Sequence, residues 1–278
     1  MRGALPPRVV FVVRETDYEL LLARHATRHQ AGFFLSGRGQ QLSDLEAAHQ
    51  RFNAVLGEAR GAVPGDWRQA LVRRSGLDRF LFAADDLVVA VGQYGLIANV
   101  AKYLDGQPVL GVNPMPERFD GVLTRVPLAR LGELLRAVEA GDCAMQHRTM
   151  AEAVLDSGER LTALNELFIG HRSHQSARYR IEAGGAVENQ SSSGLIVATG
   201  TGATGWARSI MEATATQLPL GAEEAALGYL VREPFPSVST GTSLRAGRVE
   251  AAGLAVTSQM NEGGVVGADG IEQDFITF

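Results

Sequence analysis

The stretch DLVVAVGQYG (Asp86–Gly95) decides how the rest of the chain is read. It opens as a run of aliphatic residues without polar alternation, the pattern of a strand buried on both faces. Gly92-Gln93-Tyr94-Gly95 follows, and then Leu96, Ile97, Val100, Ala101 and Leu104 recur as an apolar stripe at helical spacing. Strand, glycine loop and helix in that order form the first half of a βαβ crossover. In an open parallel sheet, ligands bind where the carboxyl end of a strand meets a helix N-terminus whose free N–H groups suit phosphate. A tight turn asks for glycine on backbone grounds alone, so the loop is a candidate and no more. Lys102, on the side of that helix away from the stripe, reads as a solvated lysine.

Outward from this stretch the same texture holds. Arg8–Val13 (RVVFVV) and Pro108–Asn113 (PVLGVN) are two more buried strands. Ser43 and Glu46 have the spacing of a capping box, and Leu45, Ala48, Phe52, Val55 and Leu56 behind them share a helical face. Leu128–Ala140 is an amphipathic helix closed by Gly141. Strands alternating with helices predict a parallel sheet with right-handed crossovers. After about residue 145 short β segments follow one another, broken by turn signals at Asp156-Ser157-Gly158, Gly184-Gly185, Gly263-Gly264 and Asp269-Gly270. The expected fold is therefore α/β plus β. An N-terminal nucleotide-binding domain covers 1–143, and a β-rich domain with one helix near Trp206–Thr216 covers 144–278.

Composition narrows the function. The 278 residues carry a formal net charge of −5 and no basic block, which speaks against a nucleic-acid surface. The longest apolar runs are too short to cross a bilayer, and acidic residues follow the first of them at once, unlike a signal peptide. The last strand-like segment runs into Phe278 with no polar tail, an ending expected of a chain that continues further. One cysteine, Cys143, allows no internal disulfide and points to a reducing, cytoplasmic compartment. Lys102 is the single lysine among 26 basic residues, and no G-x-x-x-x-G-K-[ST] motif exists, which excludes a P-loop phosphotransferase. Neither a G-x-S-x-G elbow nor a local signature around Cys143 supports a hydrolase.

A second glycine loop lies in the β-rich half. Gly194–Ala198 (GLIVA) reads as a strand and leads into TGTGATG (Thr199–Gly205), with a helix from Trp206. Gly200, Gly202 and Gly205 satisfy G-x-G-x-x-G, yet the loop follows a run of β segments, and no acidic-ended parallel strand comes after it. Backbone N–H groups and threonine hydroxyls in such a turn still suit a nucleotide. Asn165 and Glu166 stand inside the apolar run Leu161–Ile169, read as one strand, and need partners if buried. Cys143, His147, His171 and His174 can be drawn as a zinc set, but the spacing lacks a C-x₂-C knuckle and predicts no metal site. His25 and His29 read as surface residues.

In order and spacing, Val88–Gly95, Pro108–Asn113, Leu164-Asn165-Glu166 and Thr199–Gly202 resemble the NAD kinase family. PERFDG (Pro116–Gly121), SSSG (Ser191–Gly194) running into TGTGATGW (Thr199–Trp206), and VREP (Val231–Pro234) resemble its mitochondrial-type branch. The likeness extends from about Arg8 to Asp274. It implies a Rossmann-like domain, a β-sandwich domain, and phosphorylation of the adenosine ribose 2′-hydroxyl of NAD by ATP and Mg²⁺ in a homodimer or higher homo-oligomer. Asn165 and Glu166 match the family's dinucleotide-contacting pair. Thr201 and Thr204 match its adenosine-binding hydroxyls, and Trp206 replaces the aromatic residue that ends that motif. With Thr199, Gly202 and the loop residues Gly92, Gln93 and Gly95, they make up the implied set for NAD or NADP.

The departure is at the first loop. The family's Gly-Gly-Asp-Gly reads Gly92-Gln93-Tyr94-Gly95 here, so Tyr94 stands where the resemblance implies the catalytic aspartate. A positioned carboxylate that accepts the hydroxyl proton contributes ~10²–10⁴-fold. A phenol with a pKa near ~10 is protonated at neutral pH and cannot take that part. Asp120 and Glu117 are the candidate substitute bases. Three readings follow: a dinucleotide-binding protein impaired in catalysis, an active NAD 2′-phosphotransferase with a relocated base, and a nicotinamide-dependent dehydrogenase using Gly200–Gly205.

Overall fold

A computed structural model of the chain describes residues 6–118, 121–249, 253–270 and 274–278, the side chain of Tyr94 excepted. The chain divides into two units, Met1–Ala144 and Met145–Phe278.

In the first unit, β1 (Arg8–Val13), β2 (Arg68–Arg73), β3 (Leu87–Val91) and β4 (Val109–Val112) form a parallel sheet in the order β2-β1-β3-β4. Three helices, α1 (Asp17–His25), α2 (Arg28–Ser36) and α3 (Leu42–Gly61), connect β1 to β2. A fourth, α4 (Tyr94–Ala101), connects β3 to β4, and α5 (Leu131–Glu139) follows β4. Phe11, Val89 and Leu110 pack with Phe52 of α3 and Leu131 and Leu135 of α5. The alternate residues Val10, Val12, Val88 and Ala90 are equally buried, and α4 packs on β1 and β3. Helices on both sheet faces explain why these strands read as unbroken apolar runs. At the amino ends of β1 and β3, Arg8 donates to Asp86 from Nε at 2.8 Å and from Nη2 at 2.6 Å. The Ala83 amide also donates to this fully buried carboxylate, at 2.7 Å. A forked pair with a further hydrogen bond to the carboxylate is the form in which a buried charge is tolerated.

One sequence expectation is corrected here. The Ser43–Glu46 capping box does not form: α3 already starts at Leu42, its N-cap is Gln41, and no side chain caps it. Tyr18 and Arg28 take the Glu46 carboxylate instead, at 3.0 and 2.6 Å. A capping box does form at Thr16 and Glu19, where Glu19 accepts from the Thr16 amide at 2.8 Å and starts α1. The edge strand β2 gave no apolar run because only Val72 of its residues is buried.

The second unit is antiparallel. Its strands are β5 (Ala151–Val154), β6 (Arg160–Ala163), β7 (Glu166–His171), β8 (Ala177–Ala183), β9 (Ala186–Ser192) and β10 (Leu195–Thr199). After α6 (Trp206–Thr214) come β11 (Leu227–Val231), β12 (Ala246–Arg248), β13 (Ala255–Ser258), β14 (Gly264–Ala268) and β15 (Phe275–Thr277). A six-stranded sheet in the order β12-β11-β10-β7-β14-β15 faces a three-stranded sheet, β13-β8-β9, across one core built on Leu195, Val197, Tyr229, Tyr179 and Ile181. On its other face Ile196, Ala198 and Leu230 pack with Ala207 of α6 and with Leu218. The expected turns sit where the sequence puts them: Gly158, Gly184, Gly185, Gly263, Asp269 and Gly270 all have positive φ.

Leu161–Ile169 is not one strand. It breaks between β6 and β7, so that Leu164 and Asn165 lie outside both and Glu166 opens β7. The reason is where the backbone groups of the break find their partners.

Candidate functional site

Two residues distant in sequence satisfy the break. Thr199, the last residue of β10, donates from Oγ1 to the Leu164 carbonyl at 2.6 Å, and its amide donates to the Asn165 carbonyl at 2.9 Å. Asp269 takes the amides: Leu164 N–H donates to Oδ2 at 3.2 Å and Asn165 N–H to Oδ1 at 2.7 Å, with Glu166 N–H further off at 3.4 Å. The Asp269 amide returns a bond to the Glu166 carbonyl at 3.0 Å. With its backbone so held, the dipeptide leaves the sheet ladder without stranding a polar group. The Asn165 and Glu166 side chains are buried at this point, 9% and 7% exposed.

The same threonine shapes the glycine loop. Its hydroxyl oxygen accepts from the amides of Thr201 and Gly202, both at 3.1 Å. One proton given and two lone pairs occupied complete the valence of that oxygen. Thr199 is thus the joint between the loop and the Asn165–Glu166 pair. The Gly202 backbone lies so close to Asn165 that a Cβ there would fall on the Asn165 carbonyl oxygen, and one at Gly200 would fall on that of Gly221. These glycines answer to chain packing. The next strand, β11, pairs with β10 antiparallel, so strand, loop and helix make no parallel βαβ unit here. Thr204 lies on the exposed side of the turn and donates to the Thr201 carbonyl at 2.9 Å, while Thr201 is buried beneath it.

Trp206 opens α6 and is partly exposed. Its ring stacks on Phe168 of β7 at 6.1 Å between centroids, and the Arg232 guanidinium lies 5.2 Å from its centre. Glycines seat Phe168: a Cβ at Gly170 or Gly194 would strike its ring. Gly194 has a φ of +112°, which favours glycine in any case. Cation, indole and phenyl groups form a layered wall beside the loop.

In the first unit, Gly92 is buried at the end of β3 and its amide donates to the Val112 carbonyl at 3.0 Å. Gln93 is the N-cap of α4 and makes no side-chain capping bond; Tyr94 is the first helical residue. A Cβ at Gly95 would meet nothing within 4 Å. The helix therefore starts without a side-chain cap, beside an open position, and the Leu96 amide turns back to the Gln93 carbonyl at 3.0 Å. A cavity of about 100 Å³ lies against Gly92 and Gln93, with Arg14, Thr16, His49 and Arg118 in its wall. Thr16 Oγ1 and His49 Nδ1 are 2.8 Å apart, and Asn53 reaches His49 Nε2 at 2.9 Å. Burial raises the pKa of the neighbouring Glu19 carboxyl, but bonds from Thr16 and Arg73 outweigh it, leaving the group below the usual glutamate range.

Of the substitute bases, Glu117 forms an ion pair with Arg51 at 2.6 Å, and Asp120 lies outside the described residues. Among the described residues no three His, Cys, Asp or Glu side chains converge as a metal-ligand group, and no helix is long and apolar enough to cross a membrane. The structure thus assembles Asn165, Glu166, Thr199, Thr201, Gly202, Thr204 and Trp206 in one unit, and Gly92, Gln93, Tyr94 and Gly95 in the other. Sequence reasoning missed Asp269. Asp-Gly signalled its turn, but no local pattern shows which backbone its carboxylate serves.

No family model matches the chain. Over 132 residues it is 33% identical to the NAD kinase of Acidovorax sp. (strain JS42), which covers 45% of this chain and 43% of that one. Over 262 residues it is 28% identical to the mitochondrial NAD kinase 2 of Homo sapiens, covering 75% of this chain and 59% of that one. The chain thus spans less than half the length of the bacterial relatives it matches. The solved NAD kinase from Archaeoglobus fulgidus in complex with ATP superposes with a TM-score of 0.53 at 18% identity, over 97% of this chain and 86% of that one. Yeast NADH kinase complexed with NADH superposes with a TM-score of 0.54 at 16% identity, over 98% and 78%. The fold is that of the NAD kinases. In sequence the chain resembles that family in both its bacterial and its mitochondrial forms.

Proposed function

We propose that the chain is an NAD kinase-like protein that binds NAD or NADP through its second unit and is impaired in phosphoryl transfer. The observation that carries this reading is the joint at Thr199, which sets a buried Asn-Glu pair directly against a Thr/Gly turn. Asn165 and Glu166 offer hydrogen bonds to a ribose, Thr204 offers its hydroxyl to adenosine above the buried Thr201, and Trp206 offers an aromatic face. NADH and ATP in the yeast and archaeal structures support this choice of ligand.

ATP, where it serves as donor, would meet the uncapped start of α4 at Gly92, Gln93 and Gly95, a setting suited to phosphate. It supplies the phosphoryl group; Mg²⁺ would come with its phosphates, as is usual for that ion. The impairment follows from Tyr94. A ribose hydroxyl needs a proton acceptor, and a phenol at neutral pH is a donor. A homodimer or larger homo-oligomer in a reducing cytoplasm completes the reading.

Purified protein incubated with NAD, ATP and Mg²⁺ and assayed for NADP tests the impairment. We expect turnover at least ~10²-fold below that of a Gly-Gly-Asp-Gly homologue. Turnover within tenfold of that homologue would instead establish an active kinase with a relocated base. Thermal-shift titration tests binding, since a ligand that prefers the native state raises the midpoint by mass action. If neither NAD, NADP nor ATP moves it, the nucleotide reading is lost.

A further inference from the structure

We propose that Asp269 is the positioning residue of the Asn165–Glu166 pair: its carboxylate holds the backbone that aims both side chains at the dinucleotide. This rests on the reading of that pair as a dinucleotide site. Asp269 ends the β14 side of the sheet with a φ of +55°, a conformation glycine adopts without cost and aspartate less readily. What an aspartate adds there is its carboxylate, and the structure shows where it goes. It accepts from Leu164 N–H and Asn165 N–H at 3.2 and 2.7 Å, while its own amide donates to the Glu166 carbonyl at 3.0 Å.

The geometry explains why a carboxylate is required. Thr199 has already taken the Leu164 and Asn165 carbonyls. The two amides of the same dipeptide need an acceptor on the other strand neighbour of β7, and the ladder between β7 and β14 ends at Leu167 and Ala268. Asp269 is the next residue along β14 and can supply both oxygens at once. Without it, the break would be held through its carbonyls, those of Leu164 and Asn165 on Thr199 and that of Glu166 on the residue-269 amide, and its two amides would lose this acceptor. A displacement of ~1 Å at a ligand-orienting side chain can cost ~10²-fold.

The test is a double-mutant cycle on NAD binding, read by calorimetric titration of the full chain with Asp269→Gly, Asn165→Ala and the pair together. Glycine suits the backbone angle, so Asp269→Gly removes the carboxylate without straining the turn. We expect the NAD dissociation constant to rise at least ~10-fold in each single variant. The double variant should lose clearly less than the sum of the two single losses, because Asp269 acts in part through Asn165 and in part through Glu166. Fully additive losses would mean that Asp269 does not act through Asn165 and would overturn the proposal. So would Asp269→Gly binding NAD like the parent while Asn165→Ala is weakened. If Asn165→Ala itself binds normally, the dinucleotide reading of the pair has failed first.

Should Asp269→Gly fail to fold, Asp269→Asn carries the same cycle. It keeps one acceptor oxygen and turns an amide donor toward the Leu164 N–H. Weakened NAD binding with a cooperative unfolding transition supports the positioning role, and unchanged binding refutes it.

Discussion

The Thr199 hydroxyl and the Leu164 carbonyl meet at 2.6 Å, and both are buried. Through this one bond the end of β10 holds the start of the Asn165–Glu166 pair, and through its lone pairs the same oxygen holds the Thr201 and Gly202 amides. Valine matches threonine in shape but can neither donate nor accept. Thr199→Val therefore leaves three buried backbone groups without a partner. Each such group costs about 1–3 kcal/mol, and local relaxation recovers part of the total, so a loss of about 2–4 kcal/mol is expected. Thr199→Ser keeps the oxygen and should cost about 1 kcal/mol or less. Urea unfolding with an unchanged slope measures both, and a loss in Thr199→Val no larger than that in Thr199→Ser would show that the hydroxyl does not hold the joint.

The two glycine loops should answer oppositely to alanine. At Gly202 an added Cβ falls on the Asn165 carbonyl oxygen, so Gly202→Ala should destabilise by about 1–3 kcal/mol through forced backbone movement. At Gly95 the position is open and helical, so Gly95→Ala should leave stability unchanged or raise it by about 0.5–1 kcal/mol. Melting temperatures decide between these signs. If Gly95→Ala keeps its stability and loses the shift induced by ATP, the open space at that position serves the ligand.

Restoring the acidic loop tests the catalytic reading. With Gln93→Gly and Tyr94→Asp together, the uncapped start of α4 acquires a carboxylate where the chain has a phenol. NADP formation should rise by at least ~10²-fold over the parent. A parent and variant of equal, low turnover would place the deficit outside Gly92–Gly95.

The sandwich core carries its own pH signature. Tyr179 is almost wholly buried, its OH lying 2.8 Å from Ser192 Oγ and donating to Gln190 Oε1 at 3.1 Å. Burial pushes its pKa up from 10.0 to about 12, against a smaller opposing effect from Ser192. The folded value lies above the unfolded one, so the unfolded chain loses its proton first. Stability is then fully present below pH 10 and lost as pH rises toward about 12. That loss amounts to about 2 kcal/mol. Tyr179→Phe should be less stable at pH 7, because Gln190 and Ser192 lose a partner, yet flatter than the parent above pH 10. Parallel alkaline curves for the two proteins would contradict this.

Much of the molecule was legible in local patterning. RVVFVV, DLVVAVG and PVLGVN matched β1, β3 and β4 closely because a strand covered by helices on both faces needs an unbroken apolar run. Asp-Gly and Gly-Gly pairs marked turns because positive φ restricts which residues can stand there. The motifs at Asn165–Glu166 and Thr199–Trp206 were visible for the same reason, each being a short departure from an apolar background.

What depended on partners far along the chain stayed hidden. Ser43 and Glu46 have the right spacing for a cap, but Tyr18 and Arg28 claim the carboxylate. An edge strand such as β2 buries too little to leave a period. The glycines of TGTGATG suit a nucleotide turn in sequence, and only the fold shows that Gly200 and Gly202 also admit the backbones of Gly221 and Asn165. The break at Leu164 is set by Thr199 and Asp269, 35 and 105 residues away. A backbone amide or carbonyl is the same in every residue, so no side-chain pattern announces which distant atom will satisfy it. Only the tertiary structure makes that assignment.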